Sequence, residues 1–80
     1  MTKNTNIPLH LIPCGKLAQV KELLAAGRTR RRMLDLGVIT GTVIQSLRRS
    51  PSGEPTAYEI RGAVIALRSD EASQILVELL

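Results

Sequence analysis

Lys16-Leu17-Ala18-Gln19-Val20-Lys21-Glu22-Leu23-Leu24-Ala25-Ala26 is the stretch on which the fold turns. Leu17, Val20, Leu23 and Leu24 recur at helical spacing, and the Ala, Lys and Glu content favours a helix. As a strand, the same residues set Ala18, Val20 and Leu24 on one face, but Glu22 falls there too. Local sequence alone favours the helix.

Downstream, the signals are sharper. Gly27 breaks the pattern, and Thr29 can cap a short helix over residues 29–36. Gly37 suits the left-handed residue that ends such a helix, with Val38 folding back on Met33 in a Schellman ending. Thr40-Gly41 reads as a turn, and Thr42–Arg49 as a strand with Val43 and Leu47 on one face and Ile44 on the other. Ser50-Pro51-Ser52-Gly53-Glu54-Pro55 is loop. Thr56–Arg61 and Ala63–Arg68 meet at Gly62 and form the clearest hairpin, with Tyr58 and Ile60 on one face and Ala63, Ile65 and Leu67 aligned likewise. Ser69 caps a helical turn over residues 69–74, with Asp70 and Glu71 where a helix N-terminus favours negative charge. Ile75–Leu79 closes the chain as a strand.

Upstream, Ile7–Ile12 alternates in part and ends at Pro13, as a short edge strand would. Residues 1–6 read as a disordered start, and residues 7–80 as one domain. Short strands, tight turns and one brief helix point to a small closed barrel, which hides strand edges.

Composition narrows the function classes. The chain has 80 residues and a net charge of +4, from eight Arg and three Lys against seven acids. That balance suits acidic partners or nucleic acid. Yet Tyr58 is the only aromatic, so the stacking platforms of single-strand binders are missing. The core must be built from Leu, Ile and Val. A lone cysteine, Cys14, suits a reducing compartment and gives no disulfide framework. The polar start lacks a signal peptide's apolar run, and stretches such as Ala63–Leu67 fall far short of the roughly 20 residues that span a bilayer. The expected location is the cytoplasm.

Candidates for catalysis are scarce. His10 and Cys14 are the only nucleophile–base pair by type, Pro13 intervenes, and no orienting group or oxyanion site is evident. Their plain reading is a half-buried thiol and a surface imidazole. One Cys, one His and scattered acids do not make a metal site, and no glycine-rich phosphate loop precedes a helix. No cofactor is expected. The arginines are the distinctive polar feature: Arg28, Arg30, Arg31 and Arg32 crowd the helix start, where the dipole disfavours them. They form either a solvated face or a docking surface for carboxylates. Leu34, Leu36 and Val38 are expected to fill the core.

Three segments carry a family resemblance. Arg31-Arg32-Met33-Leu34-Asp35-Leu36-Gly37-Val38 with Gly41-Thr42, then Arg49–Pro55, then Arg61-Gly62 with Ile65-Ala66-Leu67-Arg68 and Glu71-Ala72, together resemble FeoA proteins over roughly residues 9–80. Thr40 and Ser50 stand where the family usually has proline and alanine. The resemblance implies a mostly β, SH3-like barrel of about five strands, similar to the C-terminal domain of iron-dependent repressors. It also makes residues 17–24 a strand, against the local preference. It further implies a non-enzymatic accessory role in bacterial ferrous iron uptake, acting on FeoB, a membrane transporter with a cytosolic GTPase domain. On this reading Arg31, Arg32, Pro51, Gly53, Glu54 and Pro55 form the contact surface. The alternatives are a basic nucleic-acid-binding barrel or a detached metal-regulator domain. The latter has no helix-turn-helix of its own with which to read an operator.

Overall fold

The structure, a computed structural model, describes residues 6–80. The expected disordered start therefore lies, save for Asn6, outside the described residues. Six strands form one antiparallel sheet: β1 (Ile7–Pro8), β2 (Leu17–Leu23), β3 (Val43–Arg49), β4 (Thr56–Ile60), β5 (Ala63–Leu67) and β6 (Ile75–Leu79). Helix α1 (Gly27–Asp35) joins β2 to β3, and the single turn α2 (Ser69–Ala72) joins β5 to β6. The order across the sheet is β1-β6-β2-β3-β4-β5.

The stretch that opened the sequence reading is a strand, and a β-bulge removes the objection to it. β2 pairs with β6 in register up to Val20↔Val77, and then Glu22 faces Leu76. The extra residue resets the inside–outside phase. Ala18 and Val20 are fully buried, Glu22 turns out to solvent, and Leu23 packs against the core. A second bulge in β3, between Ser46 and Arg48, bends that strand against β4. Each bulge adds local twist, which helps a small sheet curl around one core.

That core holds Leu9, Ile12, Met33, Val38, Ile44, Tyr58, Ile60, Leu67, Ala72, Ile75 and Val77, together with Ala18 and Val20. The sheet does not close by hydrogen bonds, because β1 and β5 remain its two ends. Buried side chains from the short elements next to those ends complete the core: Leu9 from a 3-10 turn (Leu9–Leu11) and Ala72 from α2, which lies against that turn. The expected edge strand over residues 7–12 is thus only Ile7–Pro8, and the 3-10 turn replaces its remainder.

The hairpin and the helix ending stand as read. Arg61 (φ 52°) and Gly62 (φ 85°) form the paired left-handed turn of a two-residue hairpin. At the end of α1, the Gly37 N–H donates to the Leu34 carbonyl at 3.0 Å and the Val38 N–H to the Met33 carbonyl at 2.9 Å, a Schellman motif. The start of α1 differs from expectation. It begins at Gly27, two residues before Thr29, and its N-cap position, Ala26, has no side chain able to bond the first turn. Leu34 also differs: it is exposed, and Met33 takes the buried position, while Leu36 packs at the core margin and Val38 is fully buried. A one-residue shift in helix phase accounts for this, since neighbours on a helix point about 100° apart.

Gly37 is the backbone position with least freedom. Its φ is 92°, and a Cβ there would run into the side chain of Arg61. Gly37→Ala and Gly37→Asn are each expected to lower stability by about 1–3 kcal/mol in urea unfolding. Asn tolerates the left-handed backbone better but brings the same Cβ against Arg61. Unchanged midpoints for both variants would contradict this account of the helix ending.

Candidate functional site

The single turn α2 touches two of the residues that the sequence singled out, Arg32 and Glu54. Its N-cap is Arg68, not Ser69, and an arginine side chain has no acceptor for the exposed N–H groups. The acceptors come from elsewhere. Glu71, three residues on, accepts from the Arg68 N–H at 3.1 Å. Glu54, from the loop between β3 and β4, accepts from the Ser69 N–H at 2.6 Å. Both carboxylates also sit at the positive end of the turn.

The loop is shaped for this reach. The Ser50 N–H donates to the Pro55 carbonyl at 3.0 Å, and the Gly53 N–H to the Ser50 carbonyl at 2.8 Å. Ser52 Oγ donates to the Glu54 carbonyl at 3.0 Å, and the Glu54–Pro55 peptide is cis. Pro51 and Pro55 are exposed at the loop surface and Gly53 is half-buried.

Of the four arginines of α1, Arg28 is exposed in the first turn and the other three take different directions. Arg32 leans toward α2 and pairs with Glu71. Arg30 lies on the opposite flank, where its guanidinium donates to the Leu23 carbonyl at 3.3 Å. Arg31 stands between them on the crest, exposed and roughly opposite Met33 by helical phase. Arg32 and Glu54 thus meet the same helical turn from two sides, which joins the α1 and loop segments into one surface. Neither is a wholly free docking group; each also holds α2.

Beside Arg30, the exposed Leu34 and Ile39 and the buried Val38 line a shallow groove of about 360 Å³ between α1 and β2. A second hollow of about 310 Å³ adjoins it along Arg30, Arg31 and Leu34. The sequence reading missed this groove because it assigned Leu34 to the core. The arginine spacing and Ile39 just past Gly37 were the available signals.

His10 and Cys14 exchange their expected settings. Cys14 is exposed, and His10 is half-buried with an Nδ1 that has no hydrogen-bond partner among the described residues. Among the described residues, no three of His, Cys, Asp and Glu cluster as a metal site would require. Tyr58 is buried in the core, so its ring cannot line a groove for a proline-rich peptide as SH3-type recognition needs.

Glu54 gives a pH signature. The Ser69 backbone N–H, and then its hydroxyl, favour the ionised carboxylate and lower its pKa below the usual glutamate value. Slight desolvation opposes them, and Arg68 and His10 add to the lowering. A folded-state pKa below the unfolded one means that the contribution is complete above the unfolded pKa. It is lost as pH falls through the folded value. Glu54→Gln is therefore expected to lower the melting temperature at neutral pH, with the gap to the wild-type protein narrowing below about pH 4. A gap that persists unchanged into acid would remove Glu54 as an ionised cap.

The FeoA domain pattern matches residues 7–79. The FeoA-like protein from Clostridium acetobutylicum superposes with a TM-score of 0.88 at 32% identity, over 98% of this chain and 91% of that one. Stenotrophomonas maltophilia FeoA, a prokaryotic SH3 domain protein complexed with zinc, gives 0.79 at 26% identity, over 88% and 87%. A manganese-dependent transcriptional repressor shares the fold, with a TM-score of 0.86 at 20% identity over 99% of this chain and 39% of that one. None of the curated proteins matches the chain. No helix among the described residues is long and apolar enough to cross a membrane. The curled six-stranded sheet is an SH3-like barrel, and the chain belongs to the FeoA family, which is linked to ferrous iron transport.

Proposed function

We propose that this chain is a non-enzymatic accessory protein of ferrous iron uptake, acting in the bacterial cytoplasm by docking on the cytosolic part of a FeoB-type transporter. The observation that carries this reading is the joining of α1 and the loop over residues 50–55 through α2, by Arg32 to Glu71 and Glu54 to Ser69. A surface built from two distant segments and held by ion pairing and capping keeps its shape when one element is engaged. Arg31, exposed on the crest, is placed to form a bidentate pair with a partner carboxylate. Pro51, Gly53 and Pro55 present the neighbouring loop surface, while Arg32 and Glu54 hold the two sides together.

The division of labour is testable. In a pull-down or titration against the cytosolic part of FeoB, Arg31→Glu is expected to weaken binding by about tenfold or more with an unchanged melting temperature. Arg32→Glu should lower both, because it also breaks the pair with Glu71. Truncation of Arg32 to Ala should cost about 1 kcal/mol or less, as for most exposed ion pairs. Undiminished binding by Arg31→Glu would remove α1 from the contact.

A further inference from the structure

Strand β5 ends the sheet, and its outer edge is open in a way that β1 at the opposite end is not. β1 has two residues, and one is Pro8, which has no N–H to offer a neighbour. β5 has five residues, Ala63-Val64-Ile65-Ala66-Leu67, without a charge, a proline or a bulge.

The hairpin register fixes which backbone groups face outward. Ile60 and Ala63 flank the two-residue turn, so they form a hydrogen-bonded pair, as do Tyr58 and Ile65. Val64, opposite Glu59, and Ala66, opposite Ala57, are the alternate positions. Their N–H and C=O groups point away from β4. Among the described residues, no turn, loop or cap bond uses them. Their side chains are exposed as well, with Val64 at 69%. Natural sheets usually guard such an edge with a charge or a proline within the strand. Here the charges, Arg61 and Arg68, stand just outside its two ends.

We propose that the β5 edge receives an extended peptide as an added strand, and that this peptide is apolar at its centre and acidic at its ends. Val64 and Ala66 supply two N–H donors and two carbonyl acceptors at the spacing of an antiparallel ladder. The exposed Val64 side chain offers an apolar contact to the strand's alternate residues. Arg61 and Arg68 favour carboxylates at both ends and so select the partner. A second copy of this chain fits less well. Two β5 strands related by a two-fold axis at Ile65 would set Arg68 of one copy beside Gly62 and Arg61 of the other. That places like charges together twice, on chains that each carry a net charge of +4. The site is separate from docking through α1, so either contact can exist without the other.

The probe is a capped peptide of about eight residues, a usual strand length, with alternating Val and Thr between paired glutamates. A matched peptide has lysines in place of the glutamates. Amide hydrogen exchange by NMR on the full chain reads the edge directly. The expected result is fast exchange at Val64 and Ala66 in the free protein and slowed exchange with the acidic peptide. The Ile65 amide, already bonded to β4, should be little changed. The lysine peptide should bind about tenfold more weakly or worse. Val64→Pro removes an outward N–H and leaves the bonds to β4 intact, so it should weaken the acidic peptide by about tenfold while retaining the fold by circular dichroism. Unprotected Val64 and Ala66 amides at saturating peptide would overturn the proposal. So would equal binding of both peptides, or protection that grows with protein concentration alone, which would mark a self-paired dimer.

Discussion

A sheet that does not close must hide its core by other means. In this chain one helical turn between β5 and β6 contributes Ala72 to the core, opposite Leu9 of the 3-10 turn. A four-residue turn has almost no stability of its own, because helix nucleation costs more than its few hydrogen bonds return. It persists because its exposed N–H groups find acceptors: Glu71 from within and Glu54 from a loop fifteen residues away in sequence. Arg32 then ties Glu71 back to α1. The barrel, the loop and the helix are therefore coupled through a few carboxylate oxygens, and the surface proposed for docking lies beside the residues that make the coupling.

That coupling explains which parts of the molecule were legible in sequence. The β4–β5 hairpin, the Schellman ending at Gly37 and the turn at Gly41 depend on neighbours within a few residues. They followed from glycine placement and alternation. β2 did not, because its bulge has no local signature. Glu22 on the buried face argued against a strand until pairing with β6 supplied the phase reset. The family resemblance gave the strand where propensity favoured a helix, as expected when tertiary pairing outweighs a small intrinsic preference. The candidate site was legible only as a set of residues. That Arg32 and Glu54 meet one helical turn is a long-range fact, and neither the arginine run nor the Pro-Gly loop encodes it alone.

Charge placement separates the surfaces the chain can offer. The arginines of α1 begin as an electrostatic burden at a helix N-terminus. The structure relieves part of it by turning Arg32 toward Glu71 and Arg30 toward a backbone carbonyl. Arg31 takes part in neither arrangement. Burial of Tyr58 removes the one ring that could have formed a stacking platform for bases or for a proline-rich ligand. What remains exposed is guanidinium beside aliphatic surface, such as Arg30 beside Leu34 and Ile39. That combination suits an acidic protein segment that also has an apolar side chain to bury.

The open sheet also has a consequence for its ends. Had β1 and β5 bonded to each other, neither edge would be available, and the core would need no cover from α2. Because they do not, the chain carries two edges and treats them differently. Pro8 limits β1, whereas β5 keeps an uncharged run between Arg61 and Arg68. Removing those two arginines would leave a bare apolar strand, the kind that invites indiscriminate pairing. Placed as they are, they convert a general hazard into a preference, since a like-charged copy is discouraged while an acid-flanked strand is drawn in. The same economy that makes an 80-residue barrel possible, with few rings and a seam covered by side chains instead of a ladder, is what leaves it with surfaces to share.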